Sequence, residues 1–264
     1  MKKLIKKAVI LAVIVLNLIV FSSCSLIIND NDSEDFINGV YTEKIIESNF
    51  TVMMESYTVN FFGEKKNVRY SQGSGVIFSR EELPDNGGYV YYLLTNNHVV
   101  YKRTGSYTHF DYLVQDCYGN LIDATVTSFN ANYDLAIMSF KSEKDFKVLS
   151  LASNDPEVND QVISIGQPLG VINAVTIGKV EKYVSVVFKD ENGYKDENIS
   201  NVTFDVVKHT GYINNGSSGG VLLNRNYEIC GINYAAGVGE ENPVCGYAIQ
   251  ISKVKEFLSE NFIL

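Results

Sequence analysis

Apolar and polar positions along this chain change over in short runs. Tyr57–Phe62 alternates loosely, Val76-Ile77-Phe78 follows Gly73-Ser74-Gly75, and Tyr89–Thr95 is an aromatic stretch. Further apolar runs lie at 111–115, 121–128 and 135–140, then at 161–166, 174–188, 202–207, 221–223, 229–235 and 245–250. Runs of this length, rich in Val, Ile, Tyr and Phe and separated by turn residues, predict strands. The clearest turn is Pro84-Asp85-Asn86-Gly87-Gly88, where a fixed φ is followed by residues that tolerate positive φ. No alternation of strand with helix is present, so the pattern predicts an all-β sandwich or barrel rather than a doubly wound sheet. A weak break at Ser153-Asn154-Asp155-Pro156 divides the body into two comparable halves. Between Tyr41 and Ser56, the placing of Ile45, Ile46, Phe50, Val52 and Met53 fits a short helix or a strand lead-in equally. At the far end Ser252 is placed to cap a helix over 252–261, with Val254, Phe257 and Leu258 on one face.

The first residues follow a different rule. Lys2, Lys3, Lys6 and Lys7 precede an apolar stretch over 8–21 broken only by Asn17, and Phe21-Ser22-Ser23-Cys24 follows. Small residues before a Cys, directly after such a stretch, resemble a bacterial lipoprotein signal, cut before Cys24 with the thiol lipidated. The stretch is short for a bilayer span, which favours a lipid anchor over an uncleaved helix. Both put the body outside the cytoplasm and tether it to a bacterial membrane. The division expected is a signal over 1–23, a lipidated Cys24 with an acidic solvated spacer to residue 40, and a folded domain over 41–264. A second acidic tract, Lys189-Asp190-Glu191-Asn192 and Lys195-Asp196-Glu197-Asn198 around Gly193-Tyr194, reads as a solvated hairpin tip.

Charge narrows the partners. Without residues 1–23 the chain holds 18 basic against 31 acidic residues. That balance argues against nucleic acid and against electrostatic attachment to anionic lipid. With Cys24 assigned to lipid, Cys117, Cys230 and Cys245 are an odd, scattered set with no disulfide framework or zinc spacing. Cys230 and Cys245 could pair across neighbouring strands; burial as small hydrophobes fits them better. No cofactor or metal is expected.

The chemistry concentrates on Thr210–Gly220. Ser218 lies among small residues, with Gly216 before it and Gly219-Gly220 after. Such a loop lets a substrate carbonyl approach bare N–H groups. A nucleophilic hydroxyl needs a base, and only His98, His109 and His209 are available. His98 ends the aromatic strand in Thr95-Asn96-Asn97-His98-Val99-Val100, where an imidazole can be held and still reach a cleft. His109 follows a polar loop, and His209 is carried away from Ser218 by strand and loop. An imidazole base needs an acid to fix its tautomer. Asp134, preceding the apolar Leu135-Ala136-Ile137-Met138, is the best placed, because a carboxylate there must be paired to be tolerated.

Thr95–Val100, Asp134–Ile137 and Gly216–Gly220 occur in the His, Asp, Ser order of chymotrypsin-like serine proteases. Gly73-Ser74-Gly75-Val76-Ile77 and Ser164–Gly170 are similar to matching stretches of the HtrA-type branch. The resemblance covers roughly residues 55–250. It implies two six-stranded antiparallel β-barrels, the first about 55–150 and the second about 158–250, with a short C-terminal helix. It implies Ser218 as nucleophile, His98 as base, Asp134 as the orienting acid, and the N–H groups of Gly216 and Ser218 as oxyanion hole. Asn233-Tyr234-Ala235 would pair with the substrate backbone. Tyr212 would lie near the floor of the pocket for the residue before the scissile bond, favouring a neutral, apolar side chain there. Ser217 stands where Asn or Asp is usual, so activation by N-terminal insertion is not expected. A PDZ domain after the protease, usual in that branch, is not expected here. The function implied is a lipid-anchored serine endopeptidase acting on proteins or peptides; the alternatives are a catalytically silent peptide-binding module of the same fold, or an esterase.

Overall fold

The computed structural model describes residues 31–84, 87–102, 105–187, 195–238 and 244–262. The signal, Cys24 and most of the 189–198 tract lie outside them. The acidic run expected as a solvated spacer is helical instead: α1 spans Asn31–Thr42. Asp32 and Glu34 fall in its first turn, where carboxylates favour the positive end of the helix dipole. Val40 is already fully buried, so the folded body begins before Tyr41. The undecided stretch resolves into both options in sequence, a 3₁₀ turn at Ile45–Ser48 and then strand β1, Asn49–Val59.

Among the described residues twelve strands form two closed barrels. The first contains β1, β2 (Lys65–Glu82), β3 (Tyr89–Thr95), β4 (His109–Gln115), β5 (Leu121–Asn130) and β6 (Leu135–Ser142), in the order β1-β2-β3-β6-β5-β4. Its core is aromatic: Phe50, Tyr91, Phe140 and Phe146 pack at ring separations of 5.0–6.1 Å around Leu93, Val114 and Met138. The Tyr91 hydroxyl stays satisfied, donating to Lys144 O and accepting from Phe146 N.

The second barrel contains β7 (Gln161–Gly166), β8 (Ala174–Val184), β9 (Val206–His209), β10 (Val221–Leu223), β11 (Ile229–Val238) and β12 (Val244–Gln250), in the order β10-β11-β12-β9-β8-β7. Val162, Ile163, Ile165, Val207, Leu222, Ile232 and Ile249 are buried in it. The fold is therefore all-β, with two six-stranded antiparallel barrels as expected.

The short helix α2 (Asn97–Val100) leaves β3, and α3 (Ile251–Asn261) closes the chain. Ser252 does not cap α3, contrary to expectation; Gln250 holds the cap position. Asp155, far away in sequence, accepts both the Ser252 N–H and its hydroxyl at 2.7 Å. Ile251, Val254, Phe257 and Leu258 are buried, and Ser128 and Tyr133 of the first barrel reach Asn261 and Glu260. The last helix thus fastens the barrels together. Cys117, Cys230 and Cys245 are free thiols, so Cys230 and Cys245 do not pair.

Candidate active site

His98 sits in α2 where β3 runs out, and Asp134 stands at the turn into β6. Asp134 is fully buried and adopts φ 48°, a left-handed conformation uncommon outside glycine. Strain of this kind persists only where the surroundings over-determine it. Here they do. Asp134 Oδ1 accepts the backbone N–H of His98 at 2.8 Å, and Oδ2 lies 2.7 Å from His98 Nδ1. The Asp134 carbonyl accepts from Asn96 Nδ2 at 2.9 Å and from Asn97 N at 3.2 Å. One residue thus fixes the position and ring orientation of the imidazole and holds the turn that carries it.

The Ser218 loop of the second barrel reaches that turn. A side chain on Gly219 would strike the Ser74 carbonyl and the Thr95 hydroxyl, and would lie 3.1 Å from Asn96 N. Ser218 therefore sits beside the segment leading into His98. Ser74, on β2 of the first barrel, fixes the approach. Its N–H donates to Ser218 O at 2.8 Å, its hydroxyl donates to Gly216 O at 2.8 Å, and its carbonyl accepts from Thr95 Oγ1 at 2.7 Å. Nothing in the local pattern gave Ser74 or Asn96 these roles, since each bond joins elements remote in sequence.

The loop itself is tightly wound. Asn215 O accepts from Leu169 N at 2.8 Å, which turns the N–H of Gly216 to the opposite side of that planar peptide. Gly216 needs its φ of 97° for this, and a side chain there would collide with Gln167 O. Among the described residues nothing accepts from the N–H of Gly216 or of Ser218. Ser217 is buried and turned inward, its hydroxyl accepting from Asn214 N at 3.2 Å. Behind the loop, Asn233 accepts from Gly219 N at 2.9 Å and donates to Gly220 O at 2.8 Å.

The other expected residues are distributed as follows. Asn233 and Tyr234 are fully buried; Asn233 Nδ2 donates to Ser164 Oγ at 2.8 Å, and the Tyr234 hydroxyl lies 3.3 Å from Ser200 Oγ. Their side chains face the interior, so a peptide lying here would meet backbone. The Asn233 backbone is taken up by Gly219 and Gly220, and β11 leaves its backbone open beyond it: pairing with β10 ends at Ile232, while pairing with β12 continues to Val238. Tyr212 is 43% exposed, and its hydroxyl accepts from Asn214 Nδ2 at 3.0 Å. His109 is exposed and stacked on Tyr57. His209 is fully buried under Gly211 and Gly246, and burial pushes its pKa down to about 4. Asn233 is a polar neighbour that counteracts this shift, yet no described residue bonds either ring nitrogen in good geometry. Among the described residues no cluster of His, Cys, Asp and Glu could hold a metal.

This architecture has relatives. A trypsin-like peptidase domain profile matches residues 73–232. The chain is 29% identical over 201 residues to serine protease HTRA1 of Xenopus tropicalis, covering 75% of this chain and 37% of that protein. It is 31% identical over 190 residues to the periplasmic serine endoprotease DegP of Escherichia coli K12, covering 71% of this chain and 35% of that protein. The chain thus spans little more than a third of the length of these relatives. Among solved structures, the Rv3671c protease of M. tuberculosis in its active form superposes with a TM-score of 0.61 at 20% identity, over 86% of each chain, which bears on the fold. The chain belongs to the trypsin-like peptidase family and is similar in sequence to serine proteases of the HtrA type.

Proposed function

We propose that this chain is a serine endopeptidase that works through Ser218, His98 and Asp134. Supporting this reading above all is the double hold of Asp134 on His98 beside the Ser218 loop. In the proposed reaction His98 takes the proton of the Ser218 hydroxyl as Oγ attacks the scissile carbonyl. Asp134, accepting at Nδ1, keeps the proton-accepting nitrogen on the far side of the ring and stabilises the imidazolium. The N–H groups of Gly216 and Ser218, with no internal acceptor among the described residues, receive the oxyanion. His98 then returns the proton to the leaving amine, and a water activated by the same imidazole releases the acyl group.

The substrate is an extended segment of a protein or peptide. Its backbone would add to the open side of β11 around Tyr234 and Ala235. Its side chain before the scissile bond would be neutral and apolar and lie towards Tyr212. The protein is held at the outer face of a bacterial membrane by lipid on Cys24, a reading supported by the basic and apolar stretches before it.

A fluorophosphonate probe tests the chemistry. Wild type should be labelled and Ser218→Ala should not; a wild type refractory to the probe would mark the chain as a silent peptide-binding module. Metabolic labelling with palmitate, lost in Cys24→Ala, tests the anchor.

A further inference from the structure

The hairpin that joins β1 to β2 projects beyond its barrel. β4 pairs with β1 only from Thr51 to Tyr57, and β3 pairs with β2 only from Val76 to Glu82. Past Tyr57, among the described residues, the strand pairing that remains is that of β1 with β2, as far as Val59↔Lys65. The end of this ribbon carries two adjacent phenyl rings, Phe61 and Phe62, which are 98% and 84% exposed. They stand edge to face at 5.6 Å. In the described part of the chain this is where large apolar side chains are most exposed.

The tip is rigid. Asn60 Oδ1 accepts from Phe62 N at 3.0 Å and from Glu64 N at 2.9 Å, and Asn60 O accepts from Gly63 N at 3.0 Å. Gly63 supplies the φ of 78° that closes the turn. Rings presented on a turn with this many internal bonds lose little freedom when they are buried.

We infer that the Phe61–Phe62 tip inserts into the interfacial layer of a phospholipid bilayer. A pair of rings on a narrow convex end offers no surface on which a flat protein face could close. A bilayer needs no matching concavity. The charges directly behind the rings agree. Lys65 and Lys66 follow them, with Glu64 as the nearby acid, in a chain whose formal net charge is −9. Lys66 pairs with Glu64 at 3.2 Å with both side chains more than half exposed. Exposed pairs of this kind are weak, so the ammonium can exchange its carboxylate for a lipid phosphate. Lys65 reaches back to Glu55 and Asp111 and offsets acid on the barrel that would otherwise repel an anionic surface. The remainder of the molecule is acidic, which would keep the tip alone in contact.

The chain has no Trp, so Phe62→Trp places the sole indole at the tip. With vesicles of equal phosphatidylethanolamine and phosphatidylglycerol, its emission should move to shorter wavelength and be quenched by lipids brominated on the acyl chain. The readout belongs to position 62, so a tether elsewhere in the chain does not produce it. The variant Phe61→Ser/Phe62→Ser should lose vesicle contact at the ribbon, followed by a dansyl label on a cysteine replacing the exposed Val59, with its rate on a soluble peptide unchanged. Emission that stays that of indole in water, with the protein on the vesicle, would overturn the inference. So would a shift seen without vesicles that grows with protein concentration, which would assign the tip to a second copy of the chain.

Discussion

The N–H of Ser74 donates to the carbonyl of Ser218 at 2.8 Å, so the candidate nucleophile of the second barrel hangs from a strand of the first. The Ser74 hydroxyl adds a second attachment at Gly216. One small residue thereby holds the backbone on both sides of the Ser218 N–H, at the carbonyls of Gly216 and of Ser218 itself.

Ser74→Ala removes the second attachment and leaves the first. One neutral hydrogen bond is worth about 1 kcal/mol, so kcat should fall roughly five- to tenfold. KM should hold, because the lost bond braces the loop backbone that carries the proposed transition-state donors and touches no ground-state contact. Steady-state kinetics on one peptide substrate separates the two.

Asp134→Asn keeps the size of the side chain but not its acceptors. If the amide oxygen keeps the His98 N–H, its NH₂ faces Nδ1 and forces the wrong tautomer. Turnover should fall by about 10⁴-fold. Circular dichroism should show the fold retained, since the carbonyl bonds to Asn96 and Asn97 are backbone-held on the Asp134 side.

His209 makes stability depend on acid. Its native pKa, about 4, lies below the ordinary value of 6.5 because burial disfavours the imidazolium. Above pH 6.5 the ring is neutral whether folded or unfolded, and it contributes no pH dependence. As pH falls below 6.5 the unfolded chain binds a proton that the folded chain refuses, so stability drops until the native ring titrates near 4. The loss between pH 7 and pH 5 should be on the order of 2 kcal/mol. Urea midpoints for wild type and His209→Gln at both pH values check it; the variant should flatten that part of the slope.

Phe257→Ala tests the helix that fastens the barrels. Phe257 is fully buried, 6.0 Å from the ring of Tyr133. Its truncation should cost about 3–5 kcal/mol and lower the Tm by roughly 10 °C. Because Tyr133 immediately precedes Asp134, activity should weaken at temperatures where the fold still holds.

What could be read from the linear chain was what local pattern controls. The run Tyr89–Thr95 is aromatic and apolar and ends in polar Asn96-Asn97, so β3 and the position of His98 at its end follow from local composition. The glycines around Ser218 announce a loop with positive φ for the same local reason. The Asn31–Asp35 run was misread because charge density alone suggests solvation, whereas acid in a first helical turn also suits a helix. Ser252 was misread as a cap because the carboxylate that satisfies the helix end, Asp155, arrives from the join between barrels. Ser74 had no legible role, since it bonds residues some 140 positions away, and only the closure of both barrels brings them together. His209 was unreadable in the same sense: short β9 does not reveal which of its side chains turns inward.

Cys117, Cys230 and Cys245 are unlinked, and burial raises the pKa of Cys230 and Cys117, which makes both sluggish nucleophiles. The junctions named above are hydrogen bonds and packing. The shape of the described body is therefore indifferent to its redox surroundings: dithiothreitol should not loosen it, nor an oxidant tighten it. Such a molecule can mature where no oxidising machinery operates and keep its form when the oxygen around it comes and goes.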